Sequence, residues 1–174
     1  AAADDLARAY PFLRDVEHRI QVDEQRQTHT LPLDPDALVR IAACGICGTD
    51  VSYVHMGLTP GHPIPLGHEM AGVVEWVGEE VAAVAVGDRV VVCPSADDGM
   101  PMGTGGPQGG LTPVLHVPDA ANGRRLFRVP DAMALTTAAL AEPLAVGMQA
   151  VNQSEAAPGE KVAVFGCGPI GLTA

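Results

Sequence analysis

The sequence predicts a mainly β domain, a barrel or sandwich of short strands, which gives way to helix and then to the opening strand and turn of an α/β unit. Three observations carry this. Runs rich in β-branched residues, each bounded by turn residues, recur between Ala37 and Val129. From Ala132 to Gln153 the chain turns Ala- and Leu-rich, which favours helix. At Lys161-Val162-Ala163-Val164-Phe165 an apolar run ends directly on Gly166.

Taken in order, Arg19 to Asp23 alternates polar and apolar residues, as a half-buried strand does. Leu31 to Asp36 is turn material, because Pro fixes φ and Asp bonds its own backbone. Ala37 to Ala42 reads as a strand, although a run this short is also compatible with helix. Ala71 to Val77 is a stronger strand that stops at Gly78. Val84 to Val86 runs into a turn at Gly87-Asp88, and Arg89 to Val92 forms the next strand. Gly99 to Gly110, rich in Gly, Pro and Met, reads as a surface loop. Val114 to Val117 and Arg125 to Val129 are further short strands. In the helical stretch Pro143 must break or restart the helix, and Pro158-Gly159 punctuates the chain before the last apolar run.

With 174 residues the chain can bury a sizeable core. It is 47% hydrophobic but only 3% aromatic, so Val, Ala and Leu must fill most of the interior. A charged fraction of 18% argues against disorder. The net charge of −11 excludes nucleic acid and anionic membrane as partners, since both would be repelled. No apolar run approaches the roughly 20 residues of a membrane span. Ala1 to Arg14 mixes acids with Arg8 and Arg14 and has no apolar signal core. Four cysteines are too few for a disulfide framework in a chain this long. A reducing cytoplasm is the expected compartment. The chain opens on Ala1 instead of Met, and we expect a trimmed chain or a fragment.

Two clusters hold residues suited to chemistry. Cys44 and Cys47 form a C-x-x-C pair, readable as half of a zinc knuckle, as a redox pair, as two buried cysteines, or as Cys47 acting alone as a metal ligand. Pro65-Leu66-Gly67-His68-Glu69 places two ligand types after a glycine at the start of a strand. A thiolate and an imidazole together suit Zn²⁺.

Cys47-Gly48-Thr49-Asp50, Gly67-His68-Glu69, Gly87-Asp88-Arg89-Val90, Glu142-Pro143-Leu144-Ala145-Val146-Gly147 and Gly166-Cys167-Gly168-Pro169-Ile170-Gly171 follow one another in the order seen in medium-chain zinc-dependent alcohol dehydrogenases. The chain resembles that family from Ala37 to Ala174, and its Glu142-Pro143 segment resembles the sorbitol and butanediol branch. The resemblance implies a mainly β GroES-like catalytic domain, a partly open barrel with a few helices, over residues 1–153. Residues 154–174 would then begin a truncated Rossmann domain.

The resemblance also implies roles. Cys47 and His68 would ligate one catalytic Zn²⁺, with Glu69 or Glu142 completing the site. Plainer readings are an ion-pair partner for Glu69 and a helix-start carboxylate for Glu142. Thr49 would take the proton of a bound alcohol or polyol, and Asp50 would accept the free ring N–H of His68. Either could instead cap the helix that follows. Gly166, Gly168 and Gly171 would cradle the pyrophosphate of NAD or NADP. The acidic residue that separates the two cofactors falls beyond Ala174. The loop after Val92 lacks the closely spaced cysteines of a structural zinc lobe, so no structural zinc is expected. Ser52 stands where many relatives carry a relay His, and His55 is nearby.

The implied activity is hydride transfer between an alcohol or polyol and NAD(P) in the complete, homo-oligomeric enzyme, the isolated chain being inactive. The alternatives are a zinc-free quinone or enoyl reductase relative, and a degenerate copy that only binds metal or partners.

Overall fold

A computed structural model describes residues 34–56, 64–95 and 101–174. The strand expected at Arg19 to Asp23 lies outside them. Two nine-residue strands, β1 (Ala37–Gly45) and β2 (Glu69–Val77), pair antiparallel at the centre of the sheet. β3 (Arg89–Val92), β4 (Val114–Val117) and β5 (Leu126–Arg128) complete it in the order β4-β1-β2-β3-β5, with every neighbouring pair antiparallel. The sheet is open, as the resemblance implied.

The side chains explain the order. β3 and β4 alternate half-buried and buried positions, the period-two pattern of a strand with one face inward. Val39, Met70, Val74, Val90, Val92, Leu115 and Val117 meet in one apolar cluster, closed over by Val81, Val84, Met102 and Leu126. On the opposite face Ala71, Val129, Ala138 and Ala139 form a second, smaller cluster. Met70 therefore serves one core and its neighbour Ala71 the other. β2 is covered on both faces, which is why its sequence is a near-continuous apolar run.

The cover of the second face is helical. α2 (Leu135–Ala138) lies against β1, β2 and β3, and α3 (Ala141–Ser154) follows it. An earlier helix, α1 (Gly48–His55), stands directly after β1. The expected helix at Ala132 to Gln153 is thus split, and Pro143 sits in the first turn of α3, where a missing N–H leaves no helix bond unmade. Arg89 fixes the approach to α2. Its guanidinium donates to the carbonyls of Pro130 (3.1 Å), Asp131 (2.6 Å) and Met133.

Residues 161–165, expected as a strand, join no ladder, and Phe165 is 97% exposed. A strand needs a partner to satisfy its backbone groups, and none of the described residues offers one. The turn that follows does form, leading into α4 (Pro169–Thr173), which packs on α3. No helix among the described residues is long and apolar enough to cross a membrane.

Leu115, fully buried in the main cluster, is a sharp test of this core. Leu115→Ala should lower the unfolding free energy in urea by about 2–5 kcal/mol. Val86→Ala, at an exposed position, should change it by less than about 0.5 kcal/mol.

Candidate metal centre

The sheet register assembles the site. In the β1–β2 ladder Gly45 stands opposite Glu69 and Cys44 opposite Met70. Cys47, just past the end of β1, therefore falls beside His68 and Glu69 at the start of β2. Their ligand atoms (Cys47 Sγ, a ring nitrogen of His68 and a carboxylate oxygen of Glu69) all lie within 4.8 Å of one another. It is the one such group among the described residues. Sulfur, imidazole nitrogen and carboxylate oxygen are the donor set that Zn²⁺ accepts.

Gly67 makes the approach possible. Its φ of +91° is a conformation that costs other residues energy, and a Cβ there would stand 2.7 Å from Cys44 Sγ and 2.8 Å from the Leu111 nitrogen. The chain can turn into β2 with His68 and Glu69 presented only because this position lacks a side chain.

Asp50 holds the two ligand segments together. Only 2% exposed, it accepts the Cys47 N–H on Oδ2 (2.8 Å) and the Gly67 N–H on Oδ1 (3.0 Å). The first bond caps α1 from its third position, so Asp50 does cap the helix while also reaching the His68 segment. The direct bond expected from His68 is not made, because Nδ1 stands 3.6 Å from Asp50 Oδ1. Thr104 lies between them, with Oγ1 at 2.9 Å from His68 Nδ1 and its hydroxyl bonded to Asp50 Oδ1. Burial pushes the Asp50 carboxyl pKa up, but the bonds from Thr104, Gly67 and Cys47, together with His68, outweigh it and hold the group below its ordinary value.

The remaining residues sort by position. Thr49 is the second residue of α1, not its cap, and its exposed hydroxyl oxygen lies 3.7 Å from Cys47 Sγ. Ser52 donates back to the Gly48 carbonyl (2.9 Å), within its own helix. His55 ends that helix, exposed. Glu142, in the first turn of α3, is not part of the three-residue group. It is close enough for the group to act on it: burial raises its carboxyl pKa, His68 opposes the rise and Glu69 adds to it.

The C-x-x-C pair is not a unit in this environment. Burial pushes the Cys44 thiol from 9.0 up to about 11, while Cys47 sits at the start of α1. All four cysteines are free thiols.

At the far end of the chain, Gly166 has a φ of +108°, and Gly168 is the cap of α4 with Pro169 as its first helical residue. A Cβ at Gly171 would collide with the Gly166 carbonyl oxygen. The three glycines thus form a tight turn closed against the helix start.

Comparison with known proteins matches residues 34–131 to the alcohol dehydrogenase GroES-like domain. A second model, GlnD PII-uridylyltransferase, matches residues 1–52, less than half of the chain. The chain is 37% identical over 158 residues to (R,R)-butanediol dehydrogenase of Bacillus subtilis, covering 77% of this chain and 44% of that protein. It is 35% identical over 161 residues to sorbitol dehydrogenase of Arabidopsis thaliana, covering 79% and 42%. The crystal structure of 2R,3R-butanediol dehydrogenase from Bacillus subtilis superposes with a TM-score of 0.69 at 34% identity, covering 84% of this chain and 48% of that one. The chain spans about half the length of the curated relatives it matches.

The raised Cys44 pKa makes a pH prediction. Its proton is held more tightly in the folded chain than in the unfolded one, so the associated stability is intact below pH 9.0 and fades as pH climbs toward about 11. Alkylation at pH 8 followed by peptide mapping should mark exposed Cys167 well before Cys44. Equal rates at the two thiols would contradict the half-buried placement of Cys44.

Proposed function

The chain belongs to the alcohol dehydrogenase family with a GroES-like domain, and from that premise we propose that it is the metal-holding part of a zinc-dependent oxidoreductase that, when complete, passes a hydride between an alcohol or polyol and NAD or NADP. The convergence of Cys47, His68 and Glu69 within 4.8 Å carries this reading. The small-alcohol and polyol names of the relatives support the substrate class.

Cys47, His68 and Glu69 would hold the ion, with Glu142 as a further carboxylate that His68 and Glu69 act on. Bound there, zinc supplies a Lewis acid that makes a substrate hydroxyl more acidic, and the nicotinamide supplies the hydride acceptor. The protein's own residues do the rest. Thr49, exposed beside Cys47, takes the proton of the substrate hydroxyl and passes it outward. Asp50 keeps the Cys47 and His68 segments at a fixed separation, so the ligands are in place before the metal arrives. Gly166 and Gly168 would leave room for a pyrophosphate at the start of α4, while Gly171 lets the helix close against Gly166. We read residue 154 as the start of the nucleotide-binding unit, and the four free thiols as those of a cytoplasmic protein.

Zinc content per folded chain, measured for the wild type and for Cys47→Ser, tests the metal assignment. About one zinc, lost in the variant, is the expected result. A folded wild type that takes up none would overturn it. The chain alone should not oxidise any alcohol with NAD or NADP, because it spans under half of its butanediol dehydrogenase relative. Measurable turnover would refute that.

A further inference from the structure

We propose that Thr104 is a positioning residue of the metal centre: its hydroxyl sets the protonation of the His68 ring and leaves Nε2 as the nitrogen that faces a metal. The inference rests on the zinc reading above and adds to it a residue from outside the motifs that carry the family resemblance.

The argument is one of proton counting. A threonine hydroxyl owns a single hydrogen and two acceptor sites. That hydrogen is donated to Asp50 Oδ1. The Gly67 N–H also reaches Thr104 Oγ1, at 2.9 Å. With the hydroxyl hydrogen committed to a carboxylate, the 2.9 Å contact to His68 Nδ1 is a hydrogen bond only when the ring nitrogen is the donor. A neutral imidazole protonated at Nδ1 carries its lone pair on Nε2, the form a metal needs. Asp50 itself, 3.6 Å from Nδ1, is too far to impose this.

The loop that carries Thr104 is built to hold it there. Leu111 N donates to the Leu66 carbonyl (3.1 Å) and Gly110 N to the Gly67 carbonyl (2.8 Å), pinning the loop to the residues just before His68. Within the loop Gly103 N reaches the Gln108 carbonyl (2.6 Å) and Gly106 N the Gly103 carbonyl (2.9 Å). A Cβ at Gly103 would stand 2.6 Å from His68 Cβ, so the loop backbone lies directly against the ligand.

The test uses the chain labelled with ¹⁵N-histidine, free of metal, at pH 8, together with zinc affinity from chelator competition. The wild type should show His68 protonated at Nδ1. Thr104→Val should move the ring toward the Nε2-protonated form and weaken zinc binding about 10- to 100-fold. Thr104→Ser, which keeps the hydroxyl, should restore both. A wild-type His68 protonated at Nε2 would overturn the proposal without recourse to any variant. So would a Thr104→Val chain that keeps the wild-type ring form and zinc affinity, or a Thr104→Ser chain that recovers neither. A folded wild type that binds no zinc would sink the zinc reading, while the ring spectrum would still decide for or against Thr104.

Discussion

The pairing of Gly45 with Glu69 is the constraint on which the site depends. β1 ends and β2 begins at the same edge of the ladder, so the residues just beyond each strand are forced together however far apart they lie in sequence. A register slip of one residue would turn Glu69 and Met70 each to the face it does not now occupy, carrying a ligand into the core and a core side chain into the site. The apolar cluster around Met70 and Val74 opposes such a slip. Hydrophobic packing thus sets the position of the polar ligands, and Asp50 makes the fine adjustment with two backbone N–H groups.

Much of this was legible in the sequence, for reasons that differ by residue. The strands from Ala37 to Val129 announced themselves through β-branched runs between turn residues. Cys47, His68 and Glu69 could be read as a group because their order and flanking glycines are distinctive. Thr104 could not. It sits in a glycine-rich loop with no periodicity, and nothing local indicates that this loop folds back onto His68. The direct Asp50–His68 bond was expected for the same reason, since the intervening hydroxyl was invisible. Arg125 is another case, a charged side chain with no exposed surface at the entry to β5, where alternation alone would have put it outside. Residues 161–165 show the reverse limit. Their apolar pattern is that of a buried strand, but a pattern does not supply the neighbour that a strand requires.

The two faces of β2 divide the labour. One packs the large aliphatic cluster and the other is lined by alanines, whose small side chains let α2 approach closely. Arg89 joins the two by gathering carbonyls from the segment between β5 and α2. A guanidinium can do this because its donors spread in a plane, while a lysine ammonium presents its hydrogens from a single point. Glu142, in the first turn of α3, is held near the ligands through these contacts and through those that α3 itself makes with β2.

The pairing of Ala37 with Val117 also has a consequence in time. During synthesis a chain emerges at about 5–20 residues per second. β1 and β2 can therefore close on each other seconds before β4 exists to cover the other edge of β1. Cys47, His68 and Glu69 belong to that early hairpin, whereas Thr104 and its loop arrive with the later part. In a chain whose β1 and β2 had paired ahead of β4, the Cys47 thiol, the His68 imidazole and the Glu69 carboxylate would be gathered without the hydroxyl that lies against the ring. Metal captured at that stage would meet a less selective set of ligands than the finished fold presents.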